Sequence, residues 1–281
     1  MMTLDFSPMT PPSLGAPRRT NMRWYPLLRR IAREVQAPTV PATSAYELDL
    51  LTRRLYAAYF HGHDDDNAWP PRHDHGTLHP VGDPDDAFVE QLRAEFAGDH
   101  RLRTRLLGYL TIHGSKHVGD PVPPTVRCYL NVIPDAAPRV FSKIVAGLES
   151  KGVAFAAKLL DNPANFGRPD AAVFYTTRAD ASALVASATA AWNAQAFGNA
   201  VPAFTREVAP GIAIADDPGD GVSFGYHRCA LIAHGLTAVG RSDSHERLGS
   251  IIDAFLRAGI DPARPHLGAG QPEFTLDGAA A

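Results

Sequence analysis

The spacing of apolar residues changes from a helical to an alternating pattern near residue 105 and returns to a helical one near residue 226. In the first part, apolar residues recur every three or four positions, as on a helix with one buried face. In the middle part, short runs rich in Val, Ile, Tyr, Phe and Thr are typical of strands. The pattern predicts helices over 20–36, 44–62, 85–98, 136–152, 180–198, 226–239 and 242–260, and strands over 105–114, 125–134, 153–161, 171–178 and 204–217.

Polar residues at the segment ends predict where some helices begin. Ser44 is followed three residues later by Glu47, which is the spacing of a capping box. Ser242 or Ser244 is predicted to cap the last helix, because a hydroxyl can accept a hydrogen bond from the free N–H groups of a first turn.

The order of these segments predicts the fold class. Helices come first, strands separated by helices follow, and helices end the chain, which favours an α+β fold with a mostly antiparallel sheet flanked by helices. We expect a single domain over 21–268, a disordered arm over 1–20 and a disordered tail over 269–281.

Composition and charge argue against several functions. The 281 residues carry a formal net charge of −3, whereas nucleic-acid and membrane-surface binders normally show a basic excess. The two cysteines are far apart in sequence, which predicts no disulfide framework and fits a reducing bacterial cytoplasm. We expect no transmembrane helix, because no run of about 18 apolar residues occurs, and no secretory signal at the N-terminus.

Cations recur at or beside the predicted strands. In TVRCYLNVIP the side chains alternate, so that Arg127, Tyr129 and Asn131 share the face opposite Val126 and Cys128. Such a face offers hydrogen-bond donors about 6–7 Å apart along the strand.

Three further cationic residues lie at positions from which they could bind an anion. Lys158 lies within the apolar run VAFAAKLL, Arg168 follows a turn, and Arg228 lies beside His227 near a helix start, where free backbone N–H groups favour anions. The residues allow two interpretations. Lys158 and Arg168 form ordinary ion pairs with Asp161 and Asp170, or the cations hold a phosphate or a carboxylate.

Three segments carry a resemblance to a known family: VRCYLNVIPD, VAFAAKLLDNPANFGRPDAAVFYTT and AIADDPGDGVSFGYHRCALIAHGL. In this order they resemble the HopA-type effector family of plant-pathogenic bacteria, over roughly residues 45–260. Members in actinobacterial pathways look like the lyase of class V lanthipeptide and thioviridamide-like biosynthesis. The family is in turn similar to the bacterial phosphothreonine lyases, so the resemblance implies a phosphothreonine-lyase-like fold.

The resemblance implies a reaction: β-elimination of phosphate from phosphoserine or phosphothreonine in a peptide, which leaves dehydroalanine or dehydrobutyrine. Lys158 matches the family's base, and such a lysine acts as a base if burial and neighbouring cations lower its pKa. Arg168 and Arg228 match phosphate-binding arginines, and Arg127 matches a lysine that helps to hold the substrate. Tyr175 matches a tyrosine near the site. No cofactor is implied. We add two candidate substrate-binding residues. Asn131 shares the strand face of Arg127, and His227 directly precedes Arg228.

The sequence departs from the phosphothreonine lyases at Tyr129, where those enzymes carry a histidine as the general acid. A phenol has a pKa of about 10, so it is a weaker acid at neutral pH. Three alternatives stay open: Tyr129 donates the proton, His113 or His227 does, or the phosphate leaves as a dianion with help from the arginines alone.

The resemblance further implies a phosphorylated precursor peptide as substrate and a kinase-like protein as partner, in the bacterial cytoplasm. The alternative is a non-catalytic subunit that binds a phosphopeptide or scaffolds a kinase, or a secreted type III effector. A histidine-rich stretch over 61–79 also contains Asp64 to Asp66, but its spacing fits no standard metal site.

Overall fold

A computed structural model describes residues 24–35, 44–60, 82–96, 102–105, 108–116, 125–219 and 221–276. In chain order the helices are α1 (Tyr25–Glu34), α2 (Ala45–Leu55), α3 (Asp86–Glu95), α4 (Ala137–Ser150), α5 (Ala181–Ala191), α6 (Phe224–Val239) and α7 (Ser244–Arg257). The strands are β1 (Arg103–Arg105), β2 (Tyr109–His113), β3 (Thr125–Leu130), β4 (Phe155–Leu160), β5 (Ala172–Thr177), β6 (Arg206–Ala209) and β7 (Ile212–Asp216). The chain divides into two compact units.

The first unit is helical and combines the chain up to Tyr56 with 222–273. Within it, α6 packs against α7 and α2, and α1 packs against α7. A Cβ at Gly235 on α6 would lie 2.5 Å from the Cα of Ile251 on α7. The close approach of these two helices therefore requires a residue without a side chain at position 235.

The second unit contains the sheet, with strand order β1-β2-β4-β5-β3-β7-β6 and every pairing antiparallel. One face of the sheet forms a core with α4 and α5. The rings of Phe141 on α4 and Phe174 on β5 are 5.0 Å apart, and Val126, Cys128 and Phe155 are fully buried. The predicted α+β fold with a mostly antiparallel sheet is confirmed.

Several details of the prediction need correction. The predicted strand over 204–217 is two strands, β6 and β7, because Gly211 with φ +73° turns the chain between them. The predicted helix over 180–198 ends at Ala191. Asp243, rather than Ser242 or Ser244, caps α7 by accepting hydrogen bonds from two backbone N–H groups. The Ser44 cap is confirmed, since its hydroxyl accepts from the N–H of Glu47 at 3.2 Å.

The domain boundaries stay predictions, and the predicted arm over 1–20 lies outside the described residues. Ordered contacts reach into the segment predicted as a tail. The carbonyl of Phe274 accepts a hydrogen bond from Arg206 at 3.1 Å, and its ring lies 4.3 Å from the guanidinium carbon of Arg178. No helix among the described residues is long and apolar enough to cross a membrane.

Candidate active site

Polar side chains occupy the second face of the sheet on four neighbouring strands, β2, β4, β5 and β3. Residues that pair directly across antiparallel strands point to the same face, and the face alternates along each strand. Lys158 pairs with Val173, which pairs with Tyr129, and Tyr175 pairs with Arg127. We call this group the polar sheet face; it consists of Tyr109, Lys158, Tyr175, Arg127 and Tyr129.

Lys158 is half-buried in the middle of this face. Its ammonium nitrogen lies 4.2 Å from the centre of the Tyr109 ring, which is the geometry of a cation–π contact. Among the described residues, the ammonium has neither a hydrogen-bond acceptor nor a carboxylate within bonding distance. The amine is therefore held by an aromatic face and keeps its hydrogen-bonding capacity for a ligand.

The pKa of Lys158 is raised above its ordinary value. Burial by itself lowers this pKa, because a buried ammonium loses hydration. The negative charges that Tyr175 and Tyr109 acquire on ionisation, together with the carboxylate of Asp170, outweigh burial, while Arg127 opposes them. Lys158 is thus an ammonium at neutral pH, and the condition stated for its role as a base, a pKa lowered by burial and neighbouring cations, is not met.

Arg127 on β3 is anchored at one side of its guanidinium. Its Nε donates to the Oδ2 of Asp217 at 2.7 Å, and its Cζ lies 5.4 Å from the centre of the Tyr175 ring. Burial lowers the pKa of Arg127, but Tyr129, Tyr175 and Asp217 outweigh it and raise the pKa. The guanidinium is therefore a permanent cation beside the two tyrosines of the face.

Arg168 lies in the connection between β4 and β5 and forms the ion pair with Asp170 that the sequence allowed. Both residues act on the pKa of Tyr109. Burial is the main cause that raises this pKa, Asp170 raises it further, and Lys158 and Arg168 lower it. The Arg168–Asp170 pair therefore lies close enough to the polar sheet face to change its electrostatics.

The second ion pair that the sequence allowed, Lys158 with Asp161, is not formed. Asp161 is fully buried, and neither carboxylate oxygen has a hydrogen-bond partner within the described part of the chain. Burial raises the pKa of this carboxyl. Burial makes the charged form of this carboxyl costly, and the carboxyl makes no ion pair with Lys158.

The candidates for the general acid differ in their surroundings. Tyr129 is 3 % exposed and interacts electrostatically with Arg127. His113 ends β2 and pairs with Ala156, which places it on the same face as Lys158. Asn131, which follows Tyr129 by two residues, uses its amide to donate to the carbonyl of Ala200 at 3.0 Å.

Arg228 and His227 lie in the helical unit, on α6. Arg228 is 1 % exposed, and its guanidinium donates to the carbonyls of Pro265 at 2.7 Å and Leu267 at 2.9 Å. The imidazole Nδ1 of His227 accepts from Arg228 at 2.7 Å. Phosphate binding by Arg228 stays a prediction, and the bonds seen here hold the segment around Pro265 against α6.

The pKa of His227 is lowered to about 3, mainly by burial and then by the charge of Arg228. The imidazole is therefore neutral at pH 7 and has no imidazolium proton to give. This disfavours His227 as the general acid and leaves Tyr129 and His113 as candidates, beside elimination without an acid.

Residues 102–267 match the HopA1 effector protein family. The match covers more than half of the chain. The chain belongs to this family.

Two solved structures of effector proteins are similar to this HopA1 family member. The protein from Pseudomonas syringae pv. tomato strain DC3000 is 17% identical, with a TM-score of 0.47, and the alignment covers 91% of this chain and 92% of that one. The protein from Pseudomonas syringae pv. syringae strain 61 is 17% identical, with a TM-score of 0.44, and coverage of 85% and 88%. No curated protein matches the chain.

One residue of the polar sheet face was missed by the sequence analysis of this family member. The sequence predicts a strand at Tyr109 but gives this residue no role. Alternation along the strand predicts only that Tyr109 and Thr111, two residues later, lie on the same face. Its importance depends on the pairing of β2 with β4, which brings it to Lys158. The histidine-rich stretch over 61–79 lies outside the described residues.

Proposed function

We propose that this HopA1 family member is a phosphoserine or phosphothreonine lyase that acts on a peptide. The base removes the Cα proton, the electrons of that C–H bond form the Cα=Cβ double bond, and the Cβ–O bond breaks with its electrons on the leaving phosphate. The products are a dehydroalanine or dehydrobutyrine residue and inorganic phosphate, so that atoms and charge balance without a cofactor.

The observation that carries this proposal is the position of the Lys158 amine. It lies on a half-buried sheet face without a hydrogen bond to the described residues, beside the permanent cation of Arg127. A phosphate ester needs such cations around it, because its dianion must be neutralised as it leaves. The Cα atom is two bonds from the ester oxygen, so an amine next to the phosphate is also within reach of the Cα proton.

The roles of the side chains follow from their chemistry. Arg127 and Arg168 bind the phosphate oxygens, since a guanidinium presents paired donors to an oxyanion. Lys158 takes the Cα proton from the fraction of molecules in which its amine is neutral. Tyr129 is the proposed donor to the leaving phosphate, and Tyr175 orients Arg127 through its ring.

The proposed pathway needs a second protein. A lyase of this type consumes a phosphorylated peptide, so a kinase-like partner must supply the phosphate ester first. We propose that both act in the cytoplasm of the bacterium, on the precursor of a lanthipeptide-like natural product.

A second candidate function is phosphopeptide binding without catalysis, in a kinase-scaffolding subunit or a secreted effector. The raised pKa favours it, because it keeps Lys158 protonated. The resemblance to the phosphothreonine lyases favours it too, because it implies a histidine where this chain carries Tyr129. A permanent ammonium binds phosphate well but is no base.

Intact mass spectrometry separates the two candidates. Wild-type protein, Lys158→Ala and Lys143→Ala are each incubated with a phosphothreonine peptide. Lys143 is the matched control, because it is exposed on α4, which packs on the opposite face of the sheet. We expect wild type and Lys143→Ala to remove the mass of phosphoric acid from the peptide, and Lys158→Ala to be at least about a hundredfold slower.

Two results would contradict the proposal, the first in the role of Lys158 and the second in the lyase activity itself. Equal elimination by Lys158→Ala and wild type would refute Lys158 as the base. Saturable binding of the phosphopeptide by wild type, without any elimination, would establish the binding module instead. Thermal unfolding of each variant must show that the fold is retained.

A further inference from the structure

The contact between Lys158 and Tyr109 joins two strands diagonally. Lys158 on β4 pairs directly with Thr111, whereas Tyr109 pairs with Leu160. Diagonal neighbours of this kind on one face are within reach of long and aromatic side chains. The ammonium nitrogen of Lys158 lies 4.2 Å from the centre of the Tyr109 ring, so the contact spans this diagonal.

The ring is better fixed than the amine that it holds. Tyr109 is 7 % exposed and belongs to the cluster of buried hydrophobic residues in the sheet unit. A lysine side chain has four rotatable bonds, and fixing them costs conformational entropy. Since the ammonium has no hydrogen bond or ion pair with the described residues, the ring face is the contact that restricts it.

The hydroxyl of Tyr109 is not part of this contact. It makes no hydrogen bond with the described residues, and burial raises its pKa, so it is protonated at neutral pH. The attraction therefore comes from the negative face of the aromatic ring, which acts on an ammonium most strongly where water is excluded.

Other charged and titratable groups also act on Lys158. Tyr175 on β5 and Asp170 before it raise the pKa of the amine, and Arg127 on β3 lowers it. Arg168 acts on the Tyr109 hydroxyl. A test of the ring must therefore leave all of these groups unchanged.

We propose that Tyr109 is the positioning residue of Lys158, and that its ring face fixes the amine on the polar sheet face and favours the protonated amine. The hold on the amine is independent of any reaction. Its consequence for turnover rests on the proposed lyase function.

The test varies the charge of the ring face at constant shape. Tyr109 is replaced by phenylalanine and then by phenylalanine with one, two and three ring fluorines, which withdraw electrons and weaken the cation–π attraction stepwise. The phenylalanine variant is the reference for the fluorinated variants, because like them it lacks the phenol and its ionisation. The variants keep the volume of the ring, so the core around β2 stays filled.

The first readout needs no substrate. The chain has only four lysines, Lys116, Lys143, Lys151 and Lys158, so lysine labelled with ¹³C and ¹⁵N gives four resolvable side-chain signals. Lys158→Arg assigns the signal of interest. We expect the pKa of Lys158 to fall with each fluorine, by about one unit over the series, while the other three lysines stay constant.

The second readout is turnover of a phosphothreonine peptide. We expect Tyr109→Phe, which keeps the ring face, to retain much more of the wild-type kcat than a variant without the ring. Tyr109→Leu, which removes the ring, is expected to lose about tenfold to a hundredfold in kcat with a smaller change in KM, because a misplaced base slows the chemical step more than binding.

Each outcome is decisive. A Lys158 pKa that stays constant across the fluorine series overturns the proposal, and so does a Tyr109→Phe variant as slow as Tyr109→Leu. A pKa that falls with fluorination in a protein without lyase activity supports the hold on the amine and refutes only the proposed function. If the variants turn over the phosphopeptide while the Lys158 pKa stays constant across the fluorine series, the inference is refuted and the proposed function is retained.

Discussion

Arg168 holds Asp170 with two of its guanidinium nitrogens: Nε lies 2.5 Å from Oδ1 and Nη2 lies 2.9 Å from Oδ2. The side chains are only 12% and 7% exposed. A bidentate pair of this kind fixes the plane of the guanidinium. An arginine whose plane is fixed in advance loses less entropy when it binds a phosphate.

Asp170→Asn is therefore expected to lower the free energy of unfolding by about 3 kcal/mol, because the largely buried cation of Arg168 loses the carboxylate charge that it pairs with. Urea unfolding of Asp170→Asn, Arg168→Met and the double variant measures the coupling. We expect the double variant to be more stable than the sum of the single changes predicts. Additive losses would show that the two charges do not depend on each other.

The raised pKa of Lys158 predicts an alkaline pH dependence for the proposed elimination. A base acts in its deprotonated form, and here the deprotonated fraction falls tenfold for each pH unit below the pKa. Since that pKa lies above its ordinary value of about 10.4, kcat/KM should rise about tenfold per pH unit from pH 7 to 10. Steady-state rates on a phosphothreonine peptide measure this, because its phosphate is a dianion throughout the range.

A weaker base at position 158 provides the control for this pH dependence. Lys158→Cys, alkylated to aminoethylcysteine, keeps the length of the side chain and lowers the basicity of the amine. Selective alkylation is feasible because Cys128 and Cys229 are buried. The rise should then level off at a lower pH than in wild type. If kcat/KM levels off at the same pH in both proteins, its rise with pH reports the titration of a group other than residue 158.

Asp161→Asn is expected to stabilise the protein at pH 7 by about 1–2 kcal/mol, because it removes the charge of a buried carboxyl without hydrogen-bond partners among the described residues. The folded-state pKa of Asp161 is raised, so the folded protein binds this proton more tightly than the unfolded chain does. Stability is therefore lost as the pH rises above the ordinary Asp pKa of about 3.9. The advantage of Asp161→Asn should shrink when unfolding is measured near pH 4.

An exposed aspartate serves as the control for this change. Asp253 on α7 is exposed, and Asp253→Asn should change the free energy of unfolding by no more than about 0.5 kcal/mol at either pH. Equal effects of the two substitutions, or a loss of stability in Asp161→Asn at pH 7, would contradict the role assigned to burial.

Local sequence patterns predicted the layers of the fold. The alternation in β3 placed Cys128 in the core and Arg127 on the polar face, and both assignments are confirmed by the register. Successive side chains of a strand point to opposite faces of the sheet whatever its neighbours are, so this alternation can be predicted from one segment of sequence.

The composition of the polar sheet face could not be predicted in the same way. The pair β4 and β5 is inserted between β2 and β3, so that these two strands, consecutive in sequence, are not neighbours in the sheet. Tyr109 therefore meets Lys158 through a pairing between segments about 50 residues apart. The direction of the Lys158 pKa shift could not be predicted from the sequence for a related reason: it depends on Tyr175 and Asp170, which only the folded sheet brings close.

Gly211 is expected to tolerate alanine much less well than Gly219, although both have positive φ, at +73° and +79°. The shared cost of that backbone conformation is about 1–2 kcal/mol for any residue with a Cβ. At Gly211 the added Cβ would lie 2.1 Å from the carbonyl oxygen of Gly198, whereas at Gly219 no atom of the described residues lies within 4 Å. The clash would push apart the β6–β7 turn and the end of β3, where the N–H of Asn131 donates to the Gly211 carbonyl at 2.8 Å. Urea unfolding should show Gly211→Ala less stable than Gly219→Ala by about 1–3 kcal/mol or more; equal losses would mean that backbone strain alone sets the cost at both turns.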